Sequence, residues 1–206
     1  MTSETTTRPD SEQAALVERF RKLHELYADA PEVGRVGLDK IIGDLKERVS
    51  GQQRATSAGR AGLRIGKVSE LTLIADITPA GAKRMRALLD ALGGNFQAAD
   101  KVGTLHDMRF VFLENDTKVL FCTAYDGEWD PYIDDFATKI PEEMDVVFCN
   151  VEGWPGIRSP EIKDWIISKQ HTADGWYVAL PNQTVAKGRR LEKVGKAVDE
   201  FLDAVG

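Results

Sequence analysis

Histidine and cysteine are scarce in this chain, at three and two of 206 residues. Cys122 and Cys149 stand far apart with no histidine at ligand spacing, which argues against a metal clip. Each falls in a segment expected as strand, where a free thiol behaves as a small buried hydrophobe. No apolar run approaches the roughly 18–20 residues of a membrane span. The opening MTSETTTRPD has neither the basic start nor the apolar stretch of a secretory leader, so a cytoplasmic protein without a membrane partner is expected. Gly-rich phosphate loops and a nucleophilic-serine context are missing. Positive charge is in deficit, with a net −6 at pH 7. That balance excludes a general nucleic-acid binder, whose phosphate contacts need clustered Lys and Arg.

The chain is otherwise ordinary in composition. Hydrophobic residues make up 42% and charged residues 29%, enough to build a sizeable core. Residues 1–10 are polar and Thr-rich, and read as a disordered tail. Residues 11–49 read as a helical hairpin. Leu16, Phe20, Leu23 and Tyr27 recur at helical spacing until Ala30-Pro31, and Leu38, Ile41, Ile42, Leu45 and Val49 mark a second helix. The hairpin carries too few apolar groups to stand alone, so it braces a dimer or docks a protein partner. His24 reads as a solvated residue on its first helix. Residues 50–61 read as a flexible linker.

Residues 62–206 form the main domain. Leu71, Leu73, Ala75 and Ile77 alternate with polar neighbours, giving a strand. Pro79 and Gly81 open a helix with Met85, Leu88, Leu89 and Leu92 as its stripe, and Gly93-Gly94 close it. Thr104–Leu113 and Lys118–Tyr125 form a hairpin around Glu114-Asn115-Asp116, residues that suit a turn. Trp129, Tyr132, Ile133, Phe136 and Ile140 make another helix, and Asp145–Val151 is expected as a fourth strand. The order β-α-β-β-α-β predicts an α+β, ferredoxin-like antiparallel sheet with helices on one face. Both phases of the later strands are apolar, so the open face needs a cover, and a face-to-face homodimer is expected. Beyond it come a helix with Ile162, Trp165 and Ile166 inward, an extended GWYVALPNQT, and a final helix capped by Thr184. Leu191, Val194, Val198, Phe201, Leu202 and Val205 form the stripe of that last helix.

The HDMRFVFL strand, the LFCTAYDGEWDPYIDDF junction and the NVEGWPG exit resemble the dimeric α/β-barrel group of ferredoxin-like proteins. That group includes cofactor-free and haem-degrading monooxygenases, chlorite dismutases and dye-decolorizing peroxidases. The resemblance covers residues 62–155 and extends through the tail. It implies a barrel cavity for a small hydrophobic or aromatic molecule, and an oxidoreductase or oxygenase-like activity. The chain lacks a GxxDG-like peroxidase signature and the Asn-Trp-His set of haem degraders. A non-catalytic binder, or an interaction protein on the same fold, stands beside the enzymatic reading.

His106 and Arg109 are the candidate catalytic and cofactor-binding pair. With strand spacing of three they should face opposite ways, His106 beside Met108, Phe110 and Phe112, and Arg109 beside Asp107 and Val111. His106 could ligate haem iron or act as a general base. Arg109 could anchor a carboxylate or propionate, or pair structurally with Asp76 or Glu70. Met108, Phe110, Tyr125, Trp129 and Asn150 are the candidate pocket lining, with a buried anchor as the plainer reading of Trp129. Asp134 and Asp135 read as a solvated helix side. His171 reads as a structural residue after a helix.

Overall fold

A computed structural model describes residues 9–47, 54–93 and 96–206. Residues 1–8 of the expected disordered tail and residues 50–53 of the expected linker lie outside these residues, whereas Pro9 and Asp10, also expected in the tail, open the first helix. The chain divides into two compact units, residues 1–52 and 53–206.

The first unit is a helical hairpin. Helix α1 (Pro9–Leu26) and helix α2 (Glu32–Glu47) are separated at Pro31, which starts the second helix after the first has ended. Among the described residues, Phe20, Leu38 and Ile42 are its buried apolar side chains, with Leu16 and Leu23 packed against them. Ile41 and Tyr27, expected on the inward stripe, are exposed. His24 is half-exposed and lies 3.5 Å from Asp39.

The second unit is a mixed α+β fold around an open five-stranded antiparallel sheet. Its strands are β1 (Thr56–Ser57), β2 (Leu63–Ile65), β3 (Val68–Asp76), β4 (Leu105–Leu113) and β5 (Lys118–Asp126), in the order β1-β2-β3-β5-β4. Helix α3 (Gly81–Ala91) and a short 3-10 turn at Gln97–Lys101 join β3 to β4. The β4–β5 hairpin turns on Glu114, Asn115 and Asp116, all at positive φ (50°, 55° and 67°). Asn and Asp hold that conformation at lower cost than most residues, as the sequence predicts.

One face of the sheet carries Leu71, Leu73, Ala75, Val119, Phe121 and Tyr125, all buried. Helix α4 (Trp129–Lys139), helix α5 (Pro141–Phe148) and helix α6 (Ile162–Lys169) press Trp129, Tyr132, Ile133, Phe136, Phe148 and Ile166 onto it. Met108, Phe110 and Phe112 of β4 point to the same side and are half-buried.

The expected fourth strand is a helix. Pro141 stands at the first turn of α5 with Glu142 and Glu143, and an acid-rich first turn after Pro favours helix over strand. The free side of β3 is met piecewise instead. Bridges at Leu73–Gln170 and Ile77–Val151 join it, and the N–H groups of His171 and Glu152 donate to the carbonyls of Thr72 (2.8 Å) and Asp76 (2.9 Å). His171 is therefore held through its backbone, its side chain exposed.

Three further expectations change. The segment read as flexible linker contributes β1 and, beyond Gly62, leads into β2. Cys122 is half-buried and Cys149 is exposed at the end of α5, so neither is a buried thiol. Helix α7 (Val185–Val205) buries no residue, so the sheet is not what its stripe covers; a partner subunit and the N-terminal hairpin are the other covers that the stripe suggests. Asp134 and Asp135 do form the solvated side of α4, paired with Lys163 and Lys139. Among the described residues no helix is long and apolar enough to cross a membrane.

Candidate functional site

A bulge in β4 decides where the candidate histidine points. The register with β5 shifts between Leu105 and Asp107, so Leu105 pairs with Tyr125 and Asp107 with Ala124. His106 is the extra residue, and a bulge of this kind re-aims a side chain. Strict alternation would send His106 to the core side with Met108 and Phe110. Instead its Nε2 meets Asp126 Oδ1 at 2.8 Å on the opposite side.

Asp126 is fixed from two directions. Its second oxygen accepts the backbone N–H of Val185 at 2.8 Å, the first residue of α7. Thr184 caps the same end by accepting from the Lys187 N–H at 3.2 Å. A carboxylate only accepts, so Nε2 of His106 is the donor in this contact. The side chains of His106 and Asp126 are 27% and 12% exposed, shielded yet reachable.

His106 borders a pocket of about 350 Å³ on the outer side of the sheet. Val68, Ala124 and His106 form its floor, and Trp176, Tyr177, Val178 and Leu180 its wall. The wall comes from the segment read as extended, and its burial alternates as expected. Trp176 and Val178 are half-buried, and Tyr177 is 85% exposed. The wall is anchored at Pro181, whose carbonyl accepts the Lys67 N–H at 2.7 Å. Gly66 permits this approach, since a Cβ there would lie 2.4 Å from that carbonyl oxygen. A smaller recess of about 210 Å³ lies against the same strand, lined by Phe96, Asp100, Leu105, His106 and Met108. His106 borders both.

The other candidate residues separate from this site. Arg109 is exposed and bonds Asp107 at 3.0 Å, two residues away on its own strand, rather than Asp76 or Glu70. Phe110 belongs to an aromatic cluster with Phe96, Phe121 and Phe148. Trp129 is fully buried and donates its indole N–H to Gln170 Oε1 at 2.7 Å, a core anchor rather than a pocket wall. Asn150 is buried and saturated. Its Oδ1 accepts from Arg84 at 2.6 Å and its amide donates to the carbonyls of Val146 and Val147. It joins α5 to α3.

Tyr125 is fully buried and stacks on Tyr132 at 3.7 Å. Burial first, and the Glu70 carboxylate second, push its hydroxyl well above the ordinary range. Burial does the same to Tyr132. Glu70 itself is buried and accepts the N–H groups of Leu63 (2.9 Å) and Ala173 (3.2 Å). Sequence reading passed over Glu70 as a site residue. An acid in the middle of an apolar strand was the signal that could have marked it.

The outer-side pocket does not fit a haem. A porphyrin needs two apolar walls, whereas this recess is small, open to solvent and edged by the protruding Tyr177. Arg109, the expected propionate anchor, is engaged by Asp107 and is absent from the lining. Among the described residues no group of three or more His, Cys, Asp or Glu could hold a metal ion. What the arrangement offers is a proton acceptor, set by a locked carboxylate, beside aromatic and aliphatic surface. No protein-family model, curated protein or solved structure matches the chain.

Proposed function

We propose that the second unit binds a small aromatic molecule bearing an ionisable hydroxyl in the pocket beside His106, and that His106 accepts its proton. The observation that carries this reading is the Asp126 carboxylate, held by Val185 on one side and by His106 on the other. Taking up a proton turns the imidazole into a cation, which the adjacent carboxylate stabilises. Trp176, Val178 and Leu180 supply the apolar contact a flat ring requires. The oxygenase-like activity implied by the resemblance becomes, on this geometry, a cofactor-free one starting from a deprotonated ligand. A second copy laid across the outer sheet face would deepen the pocket, as in a dimeric barrel. The exposed Val111 and half-buried Ile74 and Leu120 on that face support such a cover.

The test is a two-dimensional NMR titration with a panel of simple phenols. Shifts should converge on Val68, Ala124, Trp176 and Val178. Asp126→Asn should keep the Val185 bond but weaken uptake of the ionised form of a nitrophenol, read by its visible absorbance. Shifts centred elsewhere, or phenolate uptake unchanged in His106→Ala, would sink the proposal. Binding with no chemical change under air would leave a binder in place of an enzyme.

A further inference from the structure

We infer, on the reading of the His106 pocket as a site for a hydroxy-aromatic, that Gln183 and Gly188 decide which one it takes. The ligand they select is a single ring with a neutral carbonyl substituent away from its hydroxyl.

The start of α7 forgoes the usual devices that strengthen a helix end. Thr184 is the cap, so Gln183 stands just before it and Gly188 is the fourth residue of the helix. Those two places ordinarily carry apolar side chains that pack on each other and fix the entry of the chain. The third helical residue, which as Glu or Gln would close a capping box, is Lys187. A glycine inside a helix is less favourable than an alanine. Neither backbone nor packing asks for one at 188. Gly188 lies outside the positive-φ region, and a Cβ there would meet Gln183 Nε2 at 3.5 Å, an ordinary van der Waals contact. What Gln183 and Gly188 share is the pocket, which both line.

The chemistry of the selected group follows from the free amide. Of the polar side chains in the lining, Asp107 is bonded by Arg109 at 3.0 Å, and Thr184 accepts the Lys187 N–H at 3.2 Å. Gln183 is half-buried, and its backbone N–H donates to the Leu180 carbonyl at 3.0 Å, which fixes where its side chain starts. The side-chain amide itself has no hydrogen-bond partner among the described residues. Ligand pockets combine apolar walls with a few placed polar groups that orient the occupant. An amide can donate and accept and carries no charge, so it matches a ketone, ester or carboxamide. With no side chain at 188, the amide stays uncovered on the helix side. A volume of about 350 Å³ is at the small end for ligand pockets and suits one substituted ring along Trp176.

Calorimetric titration of the full chain at neutral pH tests this, with hydroxyacetophenone and isopropylphenol, each as its para and meta isomer. The two compounds match in shape and differ in the carbonyl oxygen. They also differ in acidity, which cancels when the ratio of their affinities is compared between variants. Gln183→Met keeps the length of the side chain and removes the amide. It should lower that ratio about five- to tenfold for at least one isomer, with isopropylphenol bound no more weakly than by the wild type. Gly188→Leu should abolish binding of both compounds while the chain melts at no lower temperature than the wild type. A ratio unchanged in Gln183→Met for both isomers, or wild-type affinity in Gly188→Leu, would overturn the selection and leave the pocket reading standing. A wild type that binds none of the four compounds would overturn the pocket reading and the selection together.

Discussion

Tyr125 and Tyr132 stack with ring centres 3.7 Å apart and planes within 3°, yet only one hydroxyl is bonded. Tyr132 shares a hydrogen bond with Thr123 Oγ1 at 2.6 Å. The Tyr125 hydroxyl is buried without a partner in bonding geometry, and the adjacent Ser69 donates to the Gly127 carbonyl. Tyr125→Phe should therefore leave stability unchanged or slightly raised. Tyr132→Phe should cost about 1–2 kcal/mol, since it strands the Thr123 hydroxyl. Urea unfolding of the two variants checks the contrast.

The same two tyrosines weaken the fold at alkaline pH. Both hold their protons to a higher pH in the folded chain than the value of about 10 in the unfolded one. The unfolded state thus binds fewer protons above that pH, and folding stability falls as pH rises further. Below about pH 10 their contribution is intact. The slope should approach about 1.4 kcal/mol per pH unit for each tyrosine. In an absorbance titration at ultraviolet wavelengths, the phenolate signal of Tyr125 and Tyr132 should appear together with loss of structure, never before it.

Glu70 ties the start of β2 to the loop after α6, through Leu63 and Ala173. Glu70→Leu should cost about 2–4 kcal/mol, because two backbone N–H groups lose their acceptor in a buried place. Amide exchange at Leu63 and Ala173 should accelerate by more than elsewhere in the unit. Unchanged exchange there would show that the carboxylate is not their protector.

Gly66→Ala tests how the pocket wall is held. Gly66 sits at φ +63°, and an added Cβ would strike the Pro181 carbonyl. Gly103, at φ +79° with nothing within 4 Å, serves as the control that carries backbone strain alone. Gly103→Ala should cost about 1 kcal/mol. Gly66→Ala should cost more and release residues 176–184, seen as faster proteolysis of that segment.

Local periodicity carried most of the main domain. The hairpin turn, the stripe of α4 and the cap on α7 all came from signals within a few residues of each other. Residues 145–151 failed because the short run Val146-Val147-Phe148-Cys149 reads as a buried strand, while Pro141 and the two glutamates after it gave a stronger helix start. Strands β1 and β2 are too short, and β1 too polar, to show a period. The site was less legible. Asp126 stands in the local strand-to-helix junction, but one of its partners, Val185, lies 59 residues away. His106 was placed on the wrong side because a bulge leaves no mark in the sequence. Aromatic residues were read as pocket walls, but their size and apolar flanks served the core.

The one-residue irregularity in β4 has an effect beyond aiming a histidine. β4 ends the sheet, so its outer backbone groups have no neighbouring strand. A long, flat, greasy margin of that kind templates cross-chain strand addition and, eventually, fibrils. Here the line is kinked at Leu105–Asp107, and the charged Asp107 and Arg109 follow directly. Straightening it by deleting His106 should yield a chain that precipitates on warming while the wild type stays clear.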